Sequence, residues 1–576
     1  MSDKIKLFLA AFSILIVIAL KFIGIFYPEA RLWGINQLSY FSIQFSILYL
    51  AVIIILIFLL SYAHKLKTVD SLINSFLRIA DNIPRYIWYI LISAVLIIIF
   101  YIFNDSAHLL GDSSLRLKEL GVHGFARLKD TAAGEPLEFL IRDISYKYIF
   151  KPLGFDVLDS FRFWSYSCGL VYFWVAWLIA RRLKLPKMNS SILFAYLIGW
   201  GGLMIFFGYI EYYSIAAAAI MLFFYFAITY FYTGKKLILL AAVFIIGYYL
   251  HNLTIFLLPS LCYLLLIEYR KNRQKPTIVL ITTLTLIAVW AVNTFSYKQS
   301  GAFLLPYSNT EPGYLLWSKD HIVDILNELF LICPVFLILI PIQKFRNSGD
   351  CKHNQIALFS RLSAIAGIIA LLLIDPQLNM ARDWDLFALP LIGLHFALFI
   401  GVDWSKQNRI IKSSLVVIPI ALTFLWVLLN SDEARSVSRF KDIIKLDESR
   451  SRYGYELLST YYYQKKQWYQ AEQACYQSLR RQPHFRSYLF LAYSQMKQGN
   501  QIGAEINLKK ALELKPGNIE AIRNLGQLYF IIGKYDKAKH YFDIYRKTPR
   551  FRNDPEMIEM VNKLDRIINS KNSEGD

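Results

Sequence analysis

The chain has 576 residues, 56% of them hydrophobic, a mean hydropathy of +0.39 and a formal net charge of +20. Run after run between residues 5 and 430 reaches the roughly 20 apolar residues that a bilayer span needs, which excludes a soluble globular class. The positive charge is divided between loops at span ends and a hydrophilic tail, with no basic stripe interleaved with aromatics, so nucleic acid is excluded as a partner.

Lys4 and Lys6 precede the first apolar run, and no small-x-small cleavage site follows it, so an uncleaved span is expected there. Window hydropathy predicts about thirteen spans: 5–27, 40–61, 86–103, 163–180, 190–207, 215–232, 237–250, 253–268, 277–295, 329–342, 356–374, 386–402 and 413–429. The Lys/Arg bias of the loops (His64–Lys67, Arg181–Lys184, Lys235-Lys236, Arg270–Arg273, Lys344–Lys352, Lys406–Lys412) puts the N-terminus inside. An odd number of spans then puts the C-terminal domain outside.

Ionisable residues gather at the outer end of these spans. The loop after the third span, within an extracytoplasmic segment 104–162 with surface helices, carries Asp105, His108, Gly111-Asp112-Ser113-Ser114 and Arg116, then His123 and Glu135. Glu211 follows in Gly208-Tyr-Ile-Glu-Tyr212, His251-Asn252 interrupts an apolar hairpin, and Arg382, Asp383 and Asp385 fall in Ala381-Arg-Asp-Trp-Asp385. Carboxylates near a bilayer are expensive, so a one-sided cluster of them marks a functional site. Each residue also has a plainer reading. Asp112 with two serines is a helix N-cap signal, Glu211 could be a solvated cap, and His251 a hydrogen-bonded turn residue. The five cysteines (Cys168, Cys262, Cys333, Cys351, Cys475) have no CxxC spacing, and no His/carboxylate set has helical metal spacing.

Residues 431–451 lack an apolar run and read as a linker. Beyond them, Ala471, Ala504 and Ala538 recur at intervals of 33 and 34 residues, echoed by Leu458, Leu491 and Leu525, with Pro483 and Pro516 closing the first two units. This resembles the tetratricopeptide repeat: three units over 452–552 and a closing helix, within a repeat domain spanning 452–570. Tyr453, Tyr463, Phe490, Tyr493 and Phe530, with Arg486 and Arg523, fall on the inner face of such a solenoid, where a peptide or glycan could lie.

A long first outer loop with a carboxylate just above the bilayer, a 1–430 multispan domain and a repeat tail together resemble the GT-C membrane glycosyltransferases. The likeness is closest to the transmembrane-and-TPR O-mannosyltransferases and their bacterial relatives. The fold class implied is all-α: a polytopic GT-C helical domain followed by a tetratricopeptide solenoid. The activity implied is transfer of a sugar from a polyprenyl-phosphate-linked donor to an acceptor hydroxyl on the extracytoplasmic face of a membrane, a bacterial inner membrane being favoured. The Asp-Glu pair typical of protein O-mannosyltransferases is missing, which leaves the subfamily open.

Polyprenyl phosphate is a good leaving group, so such an enzyme needs a base for the acceptor and positive charge for the phosphate, not a second acidic carboxyl. Asp112 is the preferred base, with Asp105 second. Arg382 is the expected phosphate clamp, because a guanidinium forks onto two oxygens. Asp383 and Asp385 would orient it, bind sugar hydroxyls or hold a divalent cation. Glu211, His251, Arg116 and Glu135 are expected as substrate contacts, and the repeats would recruit the acceptor or a protein partner. An O-antigen polymerase or ligase, and a non-enzymatic repeat scaffold for envelope glycan assembly, are the alternatives.

Overall fold

The computed structural model describes residues 3–62, 84–120, 134–295, 304–305, 311–344 and 351–573. The His64–Lys67 loop, His123 and positions 345–350 of the Lys344–Lys352 loop lie outside the described residues. Among the described residues the chain is helical throughout, with two isolated bridges and no strand. It divides into two compact units, Met1–Asn309 with Gly313–Ile443 and Thr310–Pro312 with Ile444–Asp576.

The first unit has the make-up of a multi-pass membrane protein. Among the described residues, seven helices are long and apolar enough to cross a bilayer: Lys4–Gly24, Ile43–Tyr62, Val157–Arg182, Ser214–Thr233, Asn252–Tyr269, Cys351–Leu373 and Arg409–Ser431. An eighth arises if the Lys319–Ile332 and Phe336–Ile342 pair, bent by 89°, counts as one span. The remaining predicted runs fall on shorter apolar helices (Tyr86–Ile102, Leu237–Leu250, Gln274–Val289, Trp384–Ile400) or, for 190–207, on an α-helix followed by a 3-10 turn. Ser214–Thr233 is 78% buried and runs through the middle, whereas Ile43–Tyr62 is only 22% buried and turns its apolar side chains outward.

Small residues let the helices that carry the site approach closely, as is usual where lipid supplies no hydrophobic drive. A Cβ on Gly367 would fall 2.4 Å from Pro390 O, and one on Gly393 2.3 Å from Ser363 Oγ. Those two contacts lock Cys351–Leu373 against Trp384–Ile400 and so fix the height of Asp385 at the head of the latter. The expected linker includes a helix, Glu433–Ile443, that buries Val437, Arg439 and Phe440.

The second unit is a run of helical hairpins: Ser451–Gln464 with Trp468–Arg481, Phe485–Lys497 with Gln501–Leu514, and Ile519–Ile531 with Tyr535–Arg546, followed by Pro555–Ser573. The tight turn inside each hairpin contains a left-handed residue at the same register, Lys466, Gly499 and Gly533. Ala471, Ala504 and Ala538 are fully buried where each second helix meets its neighbours. Replacing Ala538 by Leu is expected to destabilise the unit by about 1–3 kcal/mol through overpacking, read as a lower midpoint in thermal denaturation. On the expected inner face, the Arg486 guanidinium lies 5.6 Å from the Tyr453 ring centre and Tyr463 meets Tyr493 at 6.2 Å. Arg523 is engaged by Asp554 at 2.7 Å and Glu556 at 3.0 Å.

Candidate functional site

The ends of several membrane helices converge on the loop that follows Ile102. Its backbone is hung from three of them: Asp105 N–H donates to Phe207 O at 2.7 Å, Ser106 N–H to Asn430 O at 3.2 Å, and Gly111 N–H to Arg382 O at 3.0 Å. Segments around 104, 207, 382 and 430, distant in sequence, thus meet in one place.

Gly111 is the pivot. Its φ of +57° is the left-handed region that favours glycine, and a Cβ there would lie 2.6 Å from Glu211 Oε1 and 3.1 Å from both Asp385 Oδ2 and Tyr209 OH. The Asp112 N–H donates to Glu211 Oε1, which holds the turn to the 208–213 loop. Asp112 sits at the N-cap position of Ser113–Glu119, but its side chain makes no capping bond. Its carboxylate is half-buried and has no hydrogen bond or ion pair among the described residues. Asp105 is different: it is buried, and His108 Nδ1 lies 3.0 Å from its Oδ2.

Beneath the turn lies a buried charge network. Arg116 Nε reaches Glu211 Oε2 at 3.2 Å and its Nη2 reaches Glu135 Oε1 at 3.2 Å, while the guanidinium stacks 4.2 Å from the Tyr212 ring centre. His251 closes the chain. Its Nδ1 accepts from Leu253 N–H at 3.2 Å, which leaves the proton on Nε2, 3.8 Å from Glu135 Oε1. The Pro136–Ser145 helix is pinned alongside by Arg142, which donates to Glu138 at 2.8 Å and to Ser214 Oγ at 2.7 Å.

Burial sets the protonation of this network. It pushes the Glu211 carboxyl up to about 8, against the pull of Arg116 and with the help of the nearby Asp112. Burial also raises Glu135, again opposed by Arg116, and lowers His251 to about 3, with Arg116 adding to the effect. Burial alone would lower Arg116, but Glu135 and Glu211 prevail and hold it well above its ordinary value.

The signs yield a pH profile. His251 is neutral in the fold and protonated when unfolded between pH 3 and 6.5, so its contribution to stability grows as pH rises through that window. Glu211 is protonated in the fold and ionised when unfolded between pH 4.5 and 8, so its contribution falls as pH rises there. The two oppose each other where the windows overlap. Above pH 6.5 the His251 contribution is complete, so thermal stability is expected to decline toward pH 8 through Glu211, with Glu135 raised in the same direction, and Glu211→Gln is expected to make that decline shallower.

The Ala381–Asp385 motif stands behind the Gly111 turn. Arg382 is fully buried; its N–H donates to Asn379 Oδ1 at 3.0 Å, and its guanidinium lies 5.5 Å from the Phe440 ring centre. Asp383 Oδ2 accepts from Leu378 N–H at 2.8 Å. Asp385 is buried beside Gly111 and Tyr209. Asp112, Arg116, Glu135, Glu211, His251 and Asp385 therefore share one site, while Arg382 and Asp383 line its rear and Asp105 its flank. Glu211 is buried and paired, not a solvated cap.

Two residues with no expected role join this region. Glu328 is fully buried, neither of its oxygens has a hydrogen-bond partner among the described residues, and Asp385 and Asp324 lie within its electrostatic reach. Arg439 stacks 4.5 Å from the Trp426 ring centre. The i, i+4 spacing of Asp324 and Glu328 ahead of an apolar run was the available signal for the first; for the second there was none. No three His, Cys, Asp or Glu side chains among the described residues are grouped to hold a metal ion. All five cysteines are free thiols. No protein-family model matches the chain, and no curated protein matches it.

Proposed function

We propose that the chain is a multi-pass membrane glycosyltransferase of GT-C type that moves a sugar from a polyprenyl-phosphate carrier to an acceptor hydroxyl on the extracytoplasmic face. The observation that carries this reading is Asp112. It is a half-exposed carboxylate with no hydrogen bond or ion pair among the described residues, at one end of the helix layer, on a turn whose backbone is clamped by Glu211 and Arg382. A general base needs such freedom together with a fixed position.

Asp112 takes the proton from the acceptor hydroxyl. The acceptor oxygen bonds to the anomeric carbon, the bond from that carbon to the phosphate oxygen breaks, and polyprenyl phosphate leaves with the electron pair. Arg116 and Arg382 supply positive charge from beneath and behind the turn, and Asp383 and Asp385 orient the sugar or Arg382. Asp105 is the weaker base, because burial and His108 occupy it. On this reading the short apolar helices complete about thirteen crossings, and the hairpins of the second unit form a tetratricopeptide solenoid that recruits the acceptor or a protein partner. The 33- and 34-residue spacing of Ala471, Ala504 and Ala538 supports that assignment.

The test is reconstitution of the full chain into vesicles with lipid-linked sugars extracted from the native host. Release of polyprenyl phosphate by wild type and not by Asp112→Asn supports the reading. Equal release by both, or none by either with every host lipid-linked sugar supplied, refutes it.

A further inference from the structure

At the membrane end opposite the candidate site, the C-termini of Val157–Arg182 and Ser214–Thr233 part to leave a cavity of about 460 Å³. That volume falls within the roughly 300–1,000 Å³ usual for small-molecule sites. Among the described residues, Leu178, Arg181, Arg182, Lys184, Tyr225 and Tyr232 line it: three cations, two phenols, one apolar side chain and no carboxylate.

Cations collect at this end of membrane helices by topology alone, and they favour helix C-termini, but these three are arranged in an unusual way. None of the three cations is paired with a carboxylate among the described residues, and Arg182 Nε is buried without a hydrogen-bond partner. Arg181 is held over the Trp177 ring at 4.7 Å from its centre, and Lys184 N–H donates to Tyr232 OH at 3.3 Å. Tyr225 and Tyr232, two helical turns apart, present the same face of their helix to the cavity. Leu178, at 38% exposure, continues this wall onto the apolar flank of the helix.

We infer that this cavity binds the phosphate headgroup of an anionic phospholipid from the leaflet opposite the candidate site, with its acyl chains along the Leu178 flank. A basic pocket between helices at the headgroup level has the chemistry for that ligand: guanidinium and ammonium for the phosphate, phenols for the glycerol hydroxyls, and an apolar edge for the chains. Free inorganic phosphate would use the cations but gain nothing from the apolar edge. The inference is independent of the proposed transfer reaction.

The experiment uses the full chain in detergent, titrated with phosphatidylglycerol or phosphatidylcholine and read by native mass spectrometry and thermal midpoint. Wild type is expected to retain phosphatidylglycerol selectively. Arg182→Gln with Lys184→Gln is expected to weaken that retention about thirtyfold, given the usual contribution of each basic residue near an anionic lipid. Leu178→Trp, which fills the cavity without changing charge, is expected to cause a comparable loss and carries the test if the double variant does not accumulate. Unchanged selectivity in either folded variant overturns the inference. So does displacement of the lipid by inorganic phosphate at similar concentration, which would make this a free-anion site.

Discussion

Asp112→Asn is expected to lower sugar transfer by about a hundred- to ten-thousandfold, the usual contribution of a positioned general base. The fold should be untouched, because among the described residues the carboxylate makes no hydrogen bond that the amide would forfeit. Asp105→Asn is expected to behave in the opposite way. It weakens a buried contact with His108 and should cost about 1.5–3 kcal/mol in stability, while much of the transfer rate survives. Turnover and thermal midpoints measured on both variants in the same vesicles separate a base from a structural acid. If Asp105→Asn proves the more damaging to turnover at equal stability, the roles of the two carboxylates are reversed.

Arg116→Met is expected to be the most destabilising single substitution at the site. Arg116 is the shared partner of Glu211 and Glu135, both deep in the fold, and its removal leaves two buried carboxyls without a cation. Losing one partner of a buried pair typically costs about 3–5 kcal/mol. The sign of its pH dependence follows. Without Arg116 the folded-state pKa values of both carboxyls rise further above the unfolded value, so the folded protein binds more protons and the variant recovers stability as pH falls. Thermal midpoints across pH 5 to 8 check this. A loss that is the same at every pH would mean that Arg116 acts through packing on Tyr212 and not through charge.

Much of the site was legible in the sequence because its residues are misfits. Asp112, Glu211, His251 and Asp385 each interrupt or border apolar runs, and the cost of a charge near lipid makes such positions conspicuous. What could not be read was who pairs with whom. Arg116 and Glu211 are separated by 95 positions, and only the return of the chain through the helix layer brings them together. Arg116, Glu135 and Glu211 therefore read as separate substrate contacts, whereas they form one buried network beneath Asp112. Glu328 was passed over because it sits at the lip of an apolar run, where hydropathy averages it away.

The fold shows a similar division. The alanine spacing of the C-terminal unit was visible because each hairpin must place a small residue at the same contact. The span count was harder. A hydropathy window senses apolarity rather than length, so the 14-residue helix Leu237–Leu250 scores like a full crossing, whereas seven helices among the described residues, or eight with the bent pair, meet both conditions. The Glu433–Ile443 helix was hidden for the converse reason, since it buries Arg439 and Phe440 behind a charged composition that reads as linker.

The most direct test of the central claim compares native-host membranes carrying wild type, Asp112→Asn at matched abundance, or no copy of the chain, with polyprenyl-linked sugars and surface glycans profiled by mass spectrometry. The account predicts that Asp112→Asn and the deletion accumulate the same lipid-linked sugar and lose the same glycan. If the deletion loses a glycan while Asp112→Asn keeps it, with no lipid-linked sugar accumulating in the variant, the chain acts as a scaffold and the catalytic assignment of Asp112 is wrong.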